Sequence, residues 1–185
     1  MKYPLIGKKQ VTIGSEVFDP ELVNSEVGSI TLTPSTTEVS SNAATINVPN
    51  GAYEEASAVL QIIIPSVEVL GRVFPEFYKK ATGTGMEGGQ VTFGAGECLS
   101  TEPIPVVIHN ACEKTSENDI YLPAAIPQAG GEFTISLTDP FVLELNLTLT
   151  KDEKGDAGYV RFGHGMLDKQ SMFDPETGTY KPVTQ

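Results

Sequence analysis

The feature that most constrains the fold of this 185-residue chain is an almost strict alternation of apolar and polar residues from 133 to 150. It is interrupted at Asp139-Pro140, a pair typical of turns. A period of two is the side-chain period of a β-strand, so the segment predicts a hairpin with its turn at Asp139-Pro140. One face must cover a core, while the other face stays polar with a single charge, Glu144.

Shorter runs bounded by Gly, Pro, Asn or Ser predict further strands. Eight or more short strands in a chain of this length predict one mainly β domain of the sandwich or barrel class. We expect these further strands at residues 29–33, 44–48, 57–64, 90–93, 105–109, 120–122 and 159–162.

One segment, from residue 66 to about residue 81, departs from the period of two. Its apolar residues fall near helical spacing, with Glu68 in the first turn and two lysines in the last, where their charges suit the helix dipole. Pro75 lies inside this segment. An interior proline removes a backbone hydrogen bond, so we expect a kink there or two short helical pieces.

Three regions carry few signs of regular structure: the first 28 residues, the Ser/Thr-rich stretch 34–42 and the tail after Gly165. The chain is therefore predicted to have an N-terminal arm at 1–28, a β-sandwich at 29–165 and a C-terminal tail at 166–185. The arm carries apolar side chains that an exposed arm of a monomer has little reason to carry. We expect them to contact a neighbouring subunit; they are Val11, Ile13, Val17, Phe18, Leu22 and Val23.

Charge and hydropathy narrow the functional class. Twelve Lys and Arg against 24 Asp and Glu leave a formal net charge of -12, whereas a nucleic-acid-binding protein needs clustered cations. The N-terminus lacks the apolar region of a secretion signal, and no apolar stretch is long enough to cross a bilayer. We therefore expect a cytoplasmic origin, no membrane contact and reduced cysteines.

Catalytic motifs are not apparent. Gly83-x-Gly85-x-x-Gly88 matches the dinucleotide fingerprint as a string, but here the helix precedes the motif and a strand follows it, which is the reverse of the required order. His109 ends an apolar strand and reads as a structural histidine. His164 lies between two glycines and fits a turn, although an enzyme site there stays open as an alternative.

Metal binding is also disfavoured. Cys98, His109, Cys112 and His164 could in principle supply four zinc ligands, but their spacing is not that of a zinc finger and favours ordinary packing. The acidic loop Asp152, Glu153 and Asp156 lacks the ligand order of an EF-hand. We expect no metal, no cofactor and no catalytic residue.

The order of features over nearly the whole chain resembles the major tail proteins, or tail tube proteins, of long-tailed bacteriophages. The resemblance lies in the order and spacing of these segments, and none of them is a catalytic motif of fixed residues. It is carried by Thr12-Ile13-Gly14, the run from Tyr53 to Pro65, the helix with Val69-Leu70-Gly71, the run from Gly88 to Gly94, Pro105-Val106-Val107-Ile108, the run from Asn118 to Pro123 and the hairpin at 133–150.

This resemblance implies a structural virion protein with a β-sandwich and a flanking helix. Such proteins assemble as hexameric rings stacked into a tube, through which viral DNA passes into the host without specific binding. The resemblance further implies a place in the virion tail, assembly in the host cytoplasm, and a tape-measure protein and a tail terminator as partners.

Within such a tube, we expect the polar face of the hairpin to line the lumen, because a DNA conduit must not bind phosphate. The lumen-facing residues would be Thr134, Ser136, Thr138, Glu144, Asn146, Thr148 and Thr150. Ring-to-ring contacts would come from residues 11–23, 34–50 and 151–158. The open alternative is that the polar face meets bulk solvent or another sheet.

A second functional class also stays open. The chain could be a phage decoration or baseplate protein, or a carbohydrate-binding β-sandwich that stacks sugars on Tyr121 or Tyr159. The absence of tryptophan disfavours sugar binding.

Overall fold

The computed structural model describes residues 7–40, 45–83, 88–93, 102–113, 118–128, 133–134, 141–151, 158–163, 173–174 and 179–180. Over these ranges the protein is mainly β, as predicted, with one short α-helix. The strands are β1 (Lys9–Ile13), β2 (Glu16–Phe18), β3 (Val23–Ser40), β4 (Thr45–Ile63), β5 (Tyr78–Lys80), β6 (Gly89–Val91), β7 (Ile104–Asn110), β8 (Ile120–Pro127), β9 (Phe133–Thr134), β10 (Val142–Leu149), β11 (Arg161–Phe162), β12 (Phe173–Asp174) and β13 (Thr179–Tyr180). Helix α1 spans Val67–Val73, and a 3₁₀ turn spans Pro75–Phe77.

Nine strands form one antiparallel sheet with the order β2-β1-β7-β8-β10-β4-β3, to which β9 adds beside β10 and β11 beside β8. The sheet curls until its two ends approach each other, so that the backbone amide of Lys9 in β1 donates to the Ser25 hydroxyl in β3 at 2.8 Å. Each further strand expected from the sequence overlaps an observed strand.

Strand β10 lies inside the sheet between β8 and β4. Its side chains alternate along the whole strand, and the leucines at 143, 145, 147 and 149 are buried. Each buried leucine contributes about 1.5–3 kcal/mol relative to an exposed one. The leucine stripe is therefore the main reason why this strand occupies the centre of the fold.

Much of the described part of the expected N-terminal arm belongs to this sheet, while residues 1–6 lie outside the described residues. β1 and β2 are joined by a tight turn at Gly14-Ser15, where Gly14 adopts a φ of 58°. Val11 and Phe18 are fully buried in the core. The alternation is only a few residues long on either side of the turn, which is why it is weak as a sequence signal.

The Ser/Thr-rich stretch expected to be a loop is the distal half of a long hairpin. β3 and β4 pair as far as Ser40 opposite Thr45, with register shifts on either side of Pro34. In residues 33–40 and 45–53 nearly all side chains are exposed. Because neither face of this part packs on a core, it shows no apolar alternation.

The helix is shorter than the predicted 66–81. Ser66 caps it, with its hydroxyl accepting from the amide of Val69 at 3.4 Å, and it ends at Val73, before Pro75. Residues 78–80 form β5 rather than a last helical turn, and pair with β6. On the other side of the helix, Arg72 binds the Glu16 carboxylate at 2.7 Å and fixes α1 to β2.

The predicted hairpin at 133–150 exists, but its register differs from the expected one. Val142 pairs with Thr134, whereas a two-residue turn at Asp139-Pro140 would place Val142 opposite Leu137. The observed pairing is therefore not that of a two-residue turn at Asp139-Pro140. Residues 135–140, including the expected turn, lie outside the described residues.

Candidate functional site: a polar sheet face without cations

The candidate site is the side of β10, β4 and β3 that points away from the leucine stripe, which we call the polar face; the neighbouring strand β8 borders it with Ile126, opposite Thr148. On β10 it presents Glu144, Asn146 and Thr148, followed by Thr150 just beyond the strand. These four side chains are all partly exposed, in strict alternation with the buried leucines. They are the described part of the predicted lumen-facing set.

Strand register extends the polar face beyond β10. Residues directly opposite each other in an antiparallel pair point to the same side of the sheet. Glu144 lies opposite Gln61, and Thr148 lies opposite Ser57, which in turn lies opposite Thr31 of β3. One polar surface thus crosses three neighbouring strands.

Hydrogen bonds between strands hold these side chains in place. The amide of Asn24 donates to Gln61 Oε1 at 2.9 Å, and Gln61 Nε2 reaches Glu144 Oε2 at 3.5 Å. At the β8 side, Gln128 Nε2 donates to Thr148 Oγ1 at 2.6 Å. The face is therefore an ordered polar surface rather than a set of independent side chains.

The strands around the polar face carry no cation, because none of β3, β4, β8 and β10 contains Lys or Arg. The carboxylates that share the face are Glu55, which accepts from Ser57 at 3.1 Å, and Glu144. Lys151 follows Thr150 beyond the end of β10, and its ammonium lies 5.7 Å from the ring centre of Tyr159. Along the strands themselves, an anion such as a phosphate finds neutral hydroxyls and amides but no cationic partner.

Part of the predicted lumen set lies beyond the described side chains. Thr134 pairs with Val142 through its backbone in β9, and nothing is described of its side chain. Ser136 and Thr138 lie outside the described residues. The structure thus brings together Glu144, Asn146, Thr148 and Thr150, and the assignment of all seven to a lumen stays a prediction.

The residues predicted to contact another subunit occupy a different place. Val11, Ile13, Phe18 and Val23 are buried in the chain's own core, which accounts for the apolar content of the N-terminal segment. Val17 and Leu22 keep partial exposure. A contact of this segment with a neighbour stays a prediction that depends mainly on those two side chains.

His109 occupies a structural setting. Its Nδ1 lies 2.7 Å from Asp119 Oδ1 and its Nε2 lies 3.2 Å from the Glu113 carbonyl oxygen. Both ring nitrogens are thus engaged within the fold, as expected from its place at a strand end. Cys98 and His164 lie outside the described residues, and the described ones contain no group of three His, Cys, Asp or Glu placed to hold a metal.

The two tyrosines considered for sugar stacking are not free platforms. Tyr121 is buried, with the Arg161 guanidinium 6.0 Å from its ring centre. Tyr159 meets the edge of Tyr53 at 5.2 Å and faces the Lys151 ammonium. In the part of the chain that the structure describes, no helix is long and apolar enough to cross a membrane.

Sequence reasoning missed one surface. The distal part of the β3–β4 hairpin exposes Val39, Ile46 and Val48. The sequence alone does not group these three side chains, because the segment resembles a polar loop. Only the strand register, with Val39 opposite Ile46, places them on one side of the hairpin.

Comparison with known proteins identifies the fold. No protein-family model matches the chain, and no curated protein matches it. Among solved structures, it is similar to a chain of the PVC sheath-tube complex of an extracellular contractile injection system in the extended state, with a TM-score of 0.51, 16% identity, and 81% of this chain and 90% of that chain covered. A chain of the sheath/tube terminator of the same kind of system (TM-score 0.48, 16% identity, 81% and 95% covered) and one of the anti-feeding prophage tube-terminating cap (TM-score 0.45, 15% identity, 80% and 87% covered) are also similar. The likeness to the first of these chains is one of fold.

Proposed function

We propose that this protein is the structural subunit of a phage-type tail tube, assembling as hexameric rings that stack into a hollow tube with the polar face lining the bore. The observation that carries the proposal is the polar face of β10, β4 and β3, three adjacent strands that contain no Lys or Arg. The fold likeness to a chain of a sheath-tube complex supports it. No catalytic role is part of the proposal.

The chemistry of the polar face suits the passage of DNA. Each lysine or arginine on a bore wall would add a phosphate contact and slow a moving duplex. Here the wall would offer hydroxyls, amides and the carboxylates of Glu55 and Glu144. At physiological salt such charges act over about 8 Å, so they repel DNA from the wall without opposing its movement along the axis.

The dimensions agree with a conduit. Neighbouring strands lie about 4.8 Å apart, so six copies that each contribute four strands close into a wall about 115 Å around and about 37 Å across at the backbone. Strand tilt widens such a barrel further. A bore of this size accommodates a DNA duplex after the inward side chains are subtracted.

Ring closure would also give a partner to the long free edge of β3. β3 is a terminal strand in the sheet order and spans 18 residues, and a long free edge invites uncontrolled pairing in a monomer. Pairing with a neighbouring copy would remove that edge. The residues around 11–23, the hairpin at 34–50 and the loop at 151–158 are assigned to contacts between rings, and a tape-measure protein and a tail terminator are the further partners of a long-tailed phage.

Negative-stain electron microscopy of the purified protein over a concentration series tests the proposal. The expected result is rings and tubes with a stained central channel. A particle that stays monomeric at every concentration contradicts the proposal. Glycan binding by that monomer would support the decoration or carbohydrate-binding alternative instead.

A further inference from the structure

A lysine borders the polar face at the end of β10. Lys151 directly follows Thr150, the last residue of that face. Its long, flexible stem could carry the ammonium to either side of the sheet, and on the bore side it would give DNA the phosphate contact that the strands avoid. Every copy in a tube would repeat such a contact. The position of this one ammonium therefore bears directly on conduction.

The alternation along β10 turns Lys151 away from the polar face. Successive residues of a strand point to opposite sides, and here Leu149 is buried while Thr150 is partly exposed. The amide of Thr150 donates to the Ala124 carbonyl oxygen at 2.8 Å, and its hydroxyl donates to the same oxygen at 3.2 Å. These two hydrogen bonds keep the alternation up to Thr150, so Lys151 follows on the side of the leucines.

On that side the ammonium of Lys151 lies over an aromatic ring. Its Nζ is 5.7 Å from the ring centre of Tyr159, within the distance of about 6 Å over which the negative face of a ring attracts a cation. Tyr159 packs against the hydrophobic core and keeps only part of its surface exposed. The ring therefore offers the lysine a fixed position.

A change of register in the β3–β4 pair brings a second ring to the same place. Thr33 pairs with Glu55, but the next residue, Pro34, pairs with Tyr53. Because Thr33 and Pro34 point to opposite sides of the sheet, Tyr53 points away from Glu55 and from the polar face. Its ring meets the ring of Tyr159 at 5.2 Å and 75°, a favourable T-shaped contact that orients Tyr159.

We propose that Tyr159, oriented by Tyr53, is a positioning residue that holds the Lys151 ammonium out of the bore. This inference rests on the proposed function and adds the residues that keep the end of the bore wall free of cations. A cation–π contact at an exposed site favours the held position about two- to fivefold. Removing the ring frees the ammonium to reach the phosphate groups of DNA in the bore.

DNA binding by assembled tubes tests the role of Tyr159. Purified tubes are incubated with a short fluorescent duplex and pelleted, and the bound duplex is measured over a salt series. Tubes of Tyr159→Leu should bind the duplex about threefold more tightly than wild-type tubes at low salt, with a steeper salt dependence. Tyr159→Phe keeps the aromatic face and should behave like the wild type.

The same change in a second background separates charge from packing. In Lys151→Gln tubes, Tyr159→Leu should leave duplex binding unchanged, because no ammonium is present to be released. If Tyr159 acted only through packing, its replacement would have the same effect on binding in both backgrounds. Tyr53 is 39% exposed, so Tyr53→Leu disturbs the core less. It should raise duplex binding by a smaller factor, since Tyr53 acts only by orienting the ring of Tyr159.

The contact itself is measured on the folded protein at a concentration below that of assembly. The ring current of Tyr159 should shift the ε-methylene protons of Lys151 upfield in NMR spectra of the wild type and of Tyr159→Phe. The shift should be lost in Tyr159→Leu. Circular dichroism of each variant verifies that the protein stays folded.

The outcomes distinguish this inference from the proposed function. Tubes of Tyr159→Leu that bind no more duplex than wild-type tubes overturn the role of Tyr159 and leave the tube itself intact; should that variant not assemble, tubes of Tyr53→Leu decide in the same way. Absence of the upfield shift in the wild type overturns the inference equally. A wild-type protein that never forms tubes contradicts the proposed function and this inference together.

Discussion

Nδ1 of His109 lies 2.7 Å from Oδ1 of Asp119, and both side chains are only 2% exposed. The ring also reaches back to the carbonyl of Glu113 at 3.2 Å. This pair joins the end of β7 to the residue just before β8. It therefore fixes the start of the strand pair that supports the β8 side of the polar face.

Asp119→Ala should lower the free energy of unfolding by about 3 kcal/mol, because it leaves a buried polar ring without its main partner. Urea denaturation followed by circular dichroism measures the change. Asp119→Asn is the matched variant, since its side-chain oxygen still accepts a hydrogen bond and should lose less. An Asp119→Ala protein as stable as the wild type would show that the pair has no structural role.

Gly71→Ala should destabilise the packing of α1 on the β5–β6 pair. A Cβ at Gly71 would lie 2.5 Å from Cδ2 of Tyr78, which is too close for either group to remain in place. We expect a loss of about 2 kcal/mol, typical of overpacking. In the double variant Gly71→Ala/Tyr78→Ala the clash is absent, so the double variant should lose less than the two single losses added together. Strict additivity would contradict the contact.

The pKa of Lys9 gives a pH dependence with a defined sign. Burial lowers this pKa below 10.5, while Glu113 and Cys112 act in the opposite direction. Between the pKa of Lys9 in the folded protein and 10.5, the unfolded chain holds a proton that the folded chain has released. The free energy of unfolding therefore rises with pH in that window. Comparing the unfolding free energies of the wild type and Lys9→Gln over this range isolates the effect. If the free energy of unfolding of the wild type instead falls with pH relative to that of Lys9→Gln, folding raises the pKa of Lys9 rather than lowering it.

Placing cations on the polar face should impair conduction without preventing assembly. Thr148→Lys/Thr150→Lys adds two ammonium groups to a surface that lacks them, and each should contribute a phosphate contact. We expect tubes of normal appearance that retain DNA in a gel-shift assay at low salt. Ser15→Lys adds one cation in the exposed β1–β2 turn and should retain less DNA than Thr148→Lys alone; equal DNA retention by these two single variants would argue against a bore-facing position.

The sequence predicted the parts of the fold in which one face is buried and the other exposed. β10 was recognisable because its leucines and polar residues alternate over the whole strand. The predicted break of the helix near Pro75 was correct, but the conversion of residues 78–80 into β5 was not foreseen. That strand depends on pairing with β6, a partner about ten residues away.

Other features depend on contacts that a local pattern does not encode. The distal half of the β3–β4 hairpin is exposed on both faces, so it has neither strand nor helix periodicity, although its backbone pairs as far as Ser40 opposite Thr45. The contact between β1 and β3 exists only because the whole sheet curls, which no local pattern encodes. The polar side chains of β4, such as Gln61, join the candidate site through register, which no single segment of sequence determines.

The most direct measurement of the central claim is a cryo-EM reconstruction of the assembled protein at a resolution that traces side chains. We expect a hollow tube in which β8, β10, β4 and β3 form the inner wall, with Glu144, Asn146 and Thr148 pointing into the channel. A tube whose channel is lined by other strands, or one in which these side chains lie on the outer surface or against a second sheet, would contradict it.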